Sequence, residues 1–365
     1  VLVKGKPFLE HLINQCALNG INKFLFLVGY KSSLIKNYFK NGRKFGVKID
    51  YSYNDPNTET LRRLVLAKKK LNINFLLLYG DNYADLNLEI LKKIYNKKKN
   101  FLINIEKKKK GNILLNKKKS LVNKYLFKRS IKSNLVDIGY IVLNKKLLNK
   151  KIFNEKNYSF NKLISFYSKK NIISYHENQS GYLSISDKKR LNFTRKVFDK
   201  KIILVDRDGV LNLHIPGKRY ITRLSEVKIN ENLLLKISKL FKNFNFLCIT
   251  NQAGVATKEL RYSNLKKINN LIKKNSLKKN IKIKEFFCSL DHFNSNNFNR
   301  KPNPGLFIKA SKKYNFLLNK TFYIGDDIRD IEAAYRAKTF CVYIGKQKLP
   351  KNLKNKYKFT LKNLN

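Results

Sequence analysis

Short apolar runs at 23–28, 47–53, 74–79, 201–205, 245–250, 284–288, 321–324 and 339–344 alternate with stretches such as 7–19 and 231–242, where apolar residues recur at spacings of three and four. This alternation of strand and helix periods confines the chain to βαβ units, since a parallel strand pair needs a crossover and a helix supplies it. The expected class is α/β, with mainly parallel sheets sandwiched between helices in three layers. A polar, charged stretch at 187–200 precedes a fresh strand at 201, which divides the chain into domains 1–197 and 198–365. At 365 residues there is material for two cores, and no repeat period is evident.

Composition excludes several classes. Hydrophobic residues at 43% and aromatics at 12% are too many for a disordered chain. The longest apolar runs, such as 24–28 and 75–79, fall far short of the roughly 20 residues of a membrane helix, so no membrane insertion is expected. Lys and Arg number 79 against 24 Asp and Glu, a net charge of +55. The lysines are spread through every segment, and the short clusters at 68–70, 97–99, 107–110 and 117–119 lie between apolar segments. They read as solvated surface in a Lys/Asn/Ile-rich composition, so nucleic acid is not expected as a partner. Such a surface would still steer phosphorylated substrates inward. Cys16, Cys248, Cys288 and Cys341 form no spaced framework; Cys248 and Cys341 sit in strand-like runs and are expected in the core. Val1, not Met, opens the chain with no basic leader behind it, so a cytoplasmic protein with an upstream start is expected. The Lys/Asn-rich stretch from 347 reads as a surface tail or short helix.

The second half places chemistry at strand ends. The run at 201–205 is followed by Asp206-Arg207-Asp208-Gly209-Val210-Leu211-Asn212, and the run at 245–249 by Thr250-Asn251-Gln252. Arg300-Lys301-Pro302-Asn303-Pro304-Gly305 precedes a helix, and the run at 322–324 leads into Gly325-Asp326-Asp327-Ile328-Arg329-Asp330. In an open α/β sheet the binding crevice lies at the carboxyl ends of the strands, where all four can converge. A carboxylate nucleophile with a second acid/base two residues on, further carboxylates for a divalent cation, and a Thr and a Lys for phosphoryl oxygens form a set suited to phosphoryl transfer.

This ordered set resembles the haloacid dehalogenase superfamily of phosphatases, over about residues 201–345. The resemblance implies a Rossmann-like fold, with Asp206 as nucleophile and Asp208 as the acid that protonates the leaving group and then activates water. It also implies Mg²⁺ on Asp206, the Asp208 carbonyl and Asp326, supported by Asp327 or Asp330, with phosphate on Thr250 and Lys301. The wording Gln252-Ala253-Gly254-Val255-Ala256 is closest to the heptose-bisphosphate phosphatases, with the histidinol-phosphate phosphatases as the alternative. Both have a minimal cap, and Asn251 and Arg300 would contact the sugar or its second phosphate. Relatives often carry a zinc loop before the Arg-Lys-Pro. Here Cys288 and His292 match half of it, and Asn297 and Asn299 stand at the other two places, so bound zinc is not expected.

The first half carries Gly5-Lys6-Pro7, Gly29-Tyr30-Lys31, Phe45-Gly46-Val47, Tyr79-Gly80-Asp81-Asn82 and Val136-Asp137-Ile138-Gly139-Tyr140. In this order they resemble the sugar-1-phosphate nucleotidyltransferases, also Rossmann-like, which act on an NTP with Mg²⁺. Asp81 would be a metal ligand and Asp137 would lie in the sugar pocket. The family's first strand and Gly-rich loop would precede Gly5. No glycine stands near Glu59-Thr60-Leu61-Arg62, where the family has its nucleobase turn, and Ser184 occupies the place of a second metal Asp. An impaired nucleotidyltransferase is therefore expected, fused to a phosphatase in nucleotide-heptose biosynthesis for surface polysaccharide. The reading from a different class is a polyanion-binding protein on decayed enzyme folds.

Overall fold

A computed structural model describes residues 1–98, 101–148, 158–350, 353 and 359–360. The chain divides into two compact units, Val1–Thr194 and Arg195–Asn365. Most of the Lys/Asn-rich end beyond 350, and part of the 97–99 cluster, lie outside the described residues.

In the second unit, strands Lys282–Ser289, Asn245–Asn251, Ile202–Val205, Phe322–Gly325, Phe340–Tyr343 and Phe359–Thr360 lie side by side in that order, every pair parallel. The central strands are apolar on both faces, as a sheet covered on both sides requires. Ile203, Val205, Phe246 and Cys248 pack with Leu234 and Ile237 of helix Glu231–Leu240 and Ile268 and Ile272 of helix Tyr262–Lys278. Ile202, Leu204, Leu247 and Ile249 turn the other way, onto Phe307 of helix Gly305–Tyr314 and Ala333 and Ala334 of helix Ile328–Ala337. This is the expected three-layer arrangement, and it aligns the carboxyl ends of three central strands along one edge.

The first unit is α/β with a mixed sheet. Its six strands run in the order Asn74–Leu78, Leu135–Asn144, Phe101–Lys107, Ile173–Glu177, Leu121–Ser130, Gly111–Asn116. Only the Phe101–Lys107 and Ile173–Glu177 pair is parallel within it. Lys23–Val28 and Lys48–Tyr53 form a separate parallel pair. The antiparallel strands between 101 and 144 are not among the runs read from the sequence. Lys and Asn on their outward positions, as in Asn123 and Lys124, interrupt the apolar signal while Phe101, Ile103, Ile105, Val122 and Ile141 stay in the core. Cys16, Cys248 and Cys341 are buried and free, as free cysteines in a core should be.

Candidate active site

Four segments meet at the carboxyl edge of the second sheet, around a pocket of about 420 Å³. Asp206 follows the strand Ile202–Val205, and its amide donates to the Ile324 carbonyl of the neighbouring strand at 2.9 Å. Lys301 Nζ lies 2.8 Å from Asp206 Oδ2 and 2.7 Å from Asp330 Oδ1, and the Tyr323 hydroxyl also donates to Asp330 at 2.8 Å. Asp330 is wholly buried, yet its other oxygen accepts from the amides of Asp326 and Asp327 at 3.1 Å. It sits in the first turn of helix Ile328–Ala337, where the helix dipole favours an anion.

Carboxylate oxygens of Asp206, Asp326 and Asp330 all lie within 4.8 Å of one another. Burial, opposed by Lys301 and reinforced by Asp330 and Asp326, pushes the Asp206 carboxyl up to about 8. Burial works against the Lys301 ammonium too, but Asp206 and Asp330 overcome it and hold the lysine protonated. One lysine among three clustered carboxylates leaves excess negative charge, and oxygen donors of this kind suit a hard divalent cation.

Asp208 is fixed differently. Arg207, wholly buried, donates to Asp208 from Nη2 at 2.9 and 3.0 Å and from Nε at 3.1 Å. Asn212 and Gln252 add hydrogen bonds of 2.9 and 2.8 Å. Burial would raise the Asp208 carboxyl, but Arg207 and these donors outweigh it and hold it below its ordinary value. The same Gln252 amide donates to the Thr250 hydroxyl at 2.9 Å, linking Asp208 to the expected phosphate ligand.

The remaining candidates are also placed. Asn251 is turned to the Lys301 main chain, donating to its carbonyl and accepting from its amide, each at 3.0 Å. Asp327 is gripped by Arg329 at 2.8 and 2.9 Å, and it caps its own helix. Arg300 lines the pocket and donates to the Asp291 carbonyl at 3.2 Å. Burial and the neighbouring Arg329 lower its affinity for a proton. Sequence reasoning did not single out His214, 2.8 Å from Asp326, nor Arg219, Tyr220 and Phe293 on the rim. These belong to loops without periodicity.

The loop that resembles a zinc site is held by polar side chains. Asn297 donates to Asp291 at 3.1 Å and accepts from the Asn299 amide at 2.8 Å, while Cys288 accepts from Asn269 at 3.6 Å.

In the first unit Asp81 lies in the turn between strands Asn74–Leu78 and Asn82–Ala84 and lines a large cavity of about 1820 Å³. Asp137 accepts from the Gly139 amide at 2.8 Å, and burial pushes its carboxyl up to about 6. Asp85, not anticipated, is likewise pushed by burial to about 6. Ser184 lies opposite Asn82 on a short antiparallel pair, its hydroxyl 3.0 Å from that of Ser186. Glu59 and Thr60 begin the helix Thr60–Leu66.

A parallel three-layer sheet with a buried carboxylate–lysine pair and a second, arginine-clamped aspartate at its carboxyl edge defines a phosphoric monoester hydrolase of the haloacid dehalogenase type. The haloacid dehalogenase-like hydrolase family matches residues 251–344, and the nucleotidyl transferase family matches residues 1–114. Over 38% of its length the chain is 31% identical to a D-glycero-beta-D-manno-heptose-1,7-bisphosphate 7-phosphatase of Helicobacter pylori, spanning 79% of that protein. It is 27% identical over 38% of its length to a D-glycero-alpha-D-manno-heptose-1,7-bisphosphate 7-phosphatase of Campylobacter jejuni, spanning 77%. A probable glucose-1-phosphate cytidylyltransferase of Bacillus subtilis is 31% identical over 24% of the chain, which spans only 42% of that relative. Through its second unit the chain belongs to the haloacid dehalogenase-like phosphatases that include these heptose-bisphosphate enzymes, and this unit is joined to a nucleotidyl transferase domain. Among the described residues, no helix is long and apolar enough to cross a membrane.

Proposed function

We propose that the domain 198–365, which falls within the second unit, is a Mg²⁺-dependent phosphatase that removes the 7-phosphate of D-glycero-D-manno-heptose 1,7-bisphosphate. The observation that carries this reading is the meeting of Asp206, Lys301, Asp326 and Asp330 beside the separately held Asp208. Asp206 attacks phosphorus, the bond from phosphorus to the sugar oxygen breaks, and Asp208 gives that oxygen its proton. Asp208 then takes a proton from water as the water oxygen attacks phosphorus, releasing phosphate and the free Asp206 carboxylate. In the free protein Arg207 keeps Asp208 ionised, the form the second step needs. The arriving phosphate dianion favours the protonated form that the first step needs. Lys301 neutralises charge on the phosphoryl oxygens and the Thr250 hydroxyl donates to them, with Asn251 fixing the Lys301 backbone.

Asp206, Asp326 and the Asp208 carbonyl, backed by Asp330 and Asp327, would hold Mg²⁺. When bound, the ion supplies positive charge against the phosphoryl oxygens and the clustered carboxylates. The first unit we read as a sugar-1-phosphate nucleotidyltransferase domain, with Asp81 toward the metal and Asp137 toward the sugar. Ser184 and the glycine-free segment 59–62 weaken its turnover.

The test is phosphate release from both heptose 1,7-bisphosphate anomers, histidinol phosphate and simple sugar phosphates, with Mg²⁺ and with chelator. Rapid Mg²⁺-dependent turnover of one heptose anomer is expected. Preference for histidinol phosphate would overturn the substrate, and turnover undiminished in Asp206→Asn would overturn the mechanism. Pyrophosphate release from an NTP and a sugar 1-phosphate should be slow or absent.

A further inference from the structure

We infer that Arg219, together with Arg300, forms a subsite for a second anionic group on the substrate, so that Arg219 selects a bisphosphate over a monophosphate. The inference rests on the phosphatase reading and adds a residue to it. Arg207 and Arg329, the other arginines around the pocket, are committed to Asp208 and Asp327. Among the described residues neither Arg219 nor Arg300 forms a salt bridge, although both line the pocket. Arg300 is only 7% exposed, so its guanidinium has lost most of its hydration without gaining a counter-ion. That is a costly state for a cation, and one an anion relieves.

Arg219 is exposed at the rim but not adrift. Its guanidinium carbon lies 5.2 Å from the Phe293 ring centroid, a cation–π contact that leaves the N–H edges unpaired. The next residue, Tyr220, is seated against Gly254, where an added Cβ would come within 3.0 Å of its ring. Further along, Glu226 ties the loop by accepting from the amides of Thr222 and Arg223 at 2.8 and 3.1 Å. The pocket is thus divided by charge. Its floor carries aspartates and Lys301, where the reacting phosphoryl group belongs, and its rim carries two guanidiniums that, among the described residues, have no carboxylate partner. A leaving group bearing a second phosphate is matched to that rim. One bearing an ammonium, as histidinol does, meets two like charges and is repelled.

The experiment compares the full chain with Arg219→Met, which keeps an apolar contact to Phe293 and removes the charge, in Mg²⁺. Substrates are heptose 1,7-bisphosphate, heptose 7-phosphate and histidinol phosphate. A charge-assisted contact predicts that the variant loses roughly 10–100-fold in kcat/KM on the bisphosphate, chiefly through KM. On heptose 7-phosphate it should change less than about twofold, and histidinol phosphate should be used no worse. Arg219→Gln gives the same comparison if the Met variant does not fold. An equal loss on bisphosphate and monophosphate overturns the subsite and leaves the phosphatase reading standing. So does no loss on either. Failure of the unaltered chain to hydrolyse any of the three overturns the phosphatase reading and the subsite with it.

Discussion

Arg207 has no exposed surface, and its guanidinium grips the carboxylate of the residue next to it, Asp208, with a closest contact of 2.9 Å. Adjacent side chains on an extended segment point apart, so this grip requires the tight turn after the strand. A buried cation held against one carboxylate fixes that carboxylate's orientation, and weakening the pair leaves a buried charge poorly compensated.

Arg207→Lys keeps the charge but loses the planar fork and the bond to Asn269 at 3.2 Å. The expected cost is about 1–3 kcal/mol in chemical denaturation, with a larger proportional loss in kcat than in KM. An unchanged denaturation midpoint would remove the fork from the account.

Gly209 has a φ of +83°, and a Cβ there would come within 1.9 Å of Asp326 Oδ2. Gly209→Ala is expected to displace the Asp326 carboxylate or strain the turn, by about 1–3 kcal/mol. Isothermal titration with Mg²⁺ should show weakened binding even where the variant remains folded at 25 °C. Wild-type Mg²⁺ affinity in this variant would contradict the geometry.

Asp206 gives a pH test. Its carboxyl is raised from an ordinary 3.8 to about 8, so across that window the folded protein retains a proton that the unfolded chain has released. Folding stability of the metal-free protein should therefore fall as pH rises, by up to about 1.4 kcal/mol per unit from this group. Thermal melts in chelator from pH 5.5 to 8.5 check this, and Asp206→Asn should flatten the decline. A parallel decline in that variant would assign it elsewhere.

Glu226 works in the opposite sense. Lys218 first, and the Thr222 amide next, pull its carboxyl down to about 2. Its stabilisation is present above the ordinary 4.5 and is lost as pH falls toward 2. The pair is partly solvated, so Glu226→Gln should cost less than about 1 kcal/mol. The visible effect at pH 7 should be a raised KM for the bisphosphate, because the loop that carries Arg219 loses its tie. An unaltered KM would show that the loop holds its shape without Glu226.

How much of this was legible depended on where the signal lay. Asp206, Thr250, Lys301 and Asp326 each follow an apolar run or precede a helix, so period and position together marked them. The parallel second sheet was legible for the same reason: residues such as Leu204 and Leu247 are apolar on both faces. The first unit's antiparallel strands were not, because one face carries Lys and Asn in a chain where those residues are everywhere. The use of Asn251 was also hidden. An amide at a strand end reads as a ligand for substrate, and only the spatial approach of Lys301 reveals that it holds a backbone. Arg219 and Phe293 come from loops 74 positions apart, with no pattern to join them.

The strand Asn245–Asn251 sends Phe246 and Cys248 into one apolar cluster and Leu247 and Ile249 into the other. Adding or deleting a single residue there would exchange the two sets at once and carry Thr250 off the edge where it meets Gln252. Length change in this strand is therefore an all-or-none event. Descendants of this chain are free to drift in side-chain identity along the strand, but the variation in length must accumulate in loops such as 213–227 and 290–300, the same loops that form the rim. The rim can then diverge by insertion while the floor with Asp206, Thr250 and Lys301 stays in register.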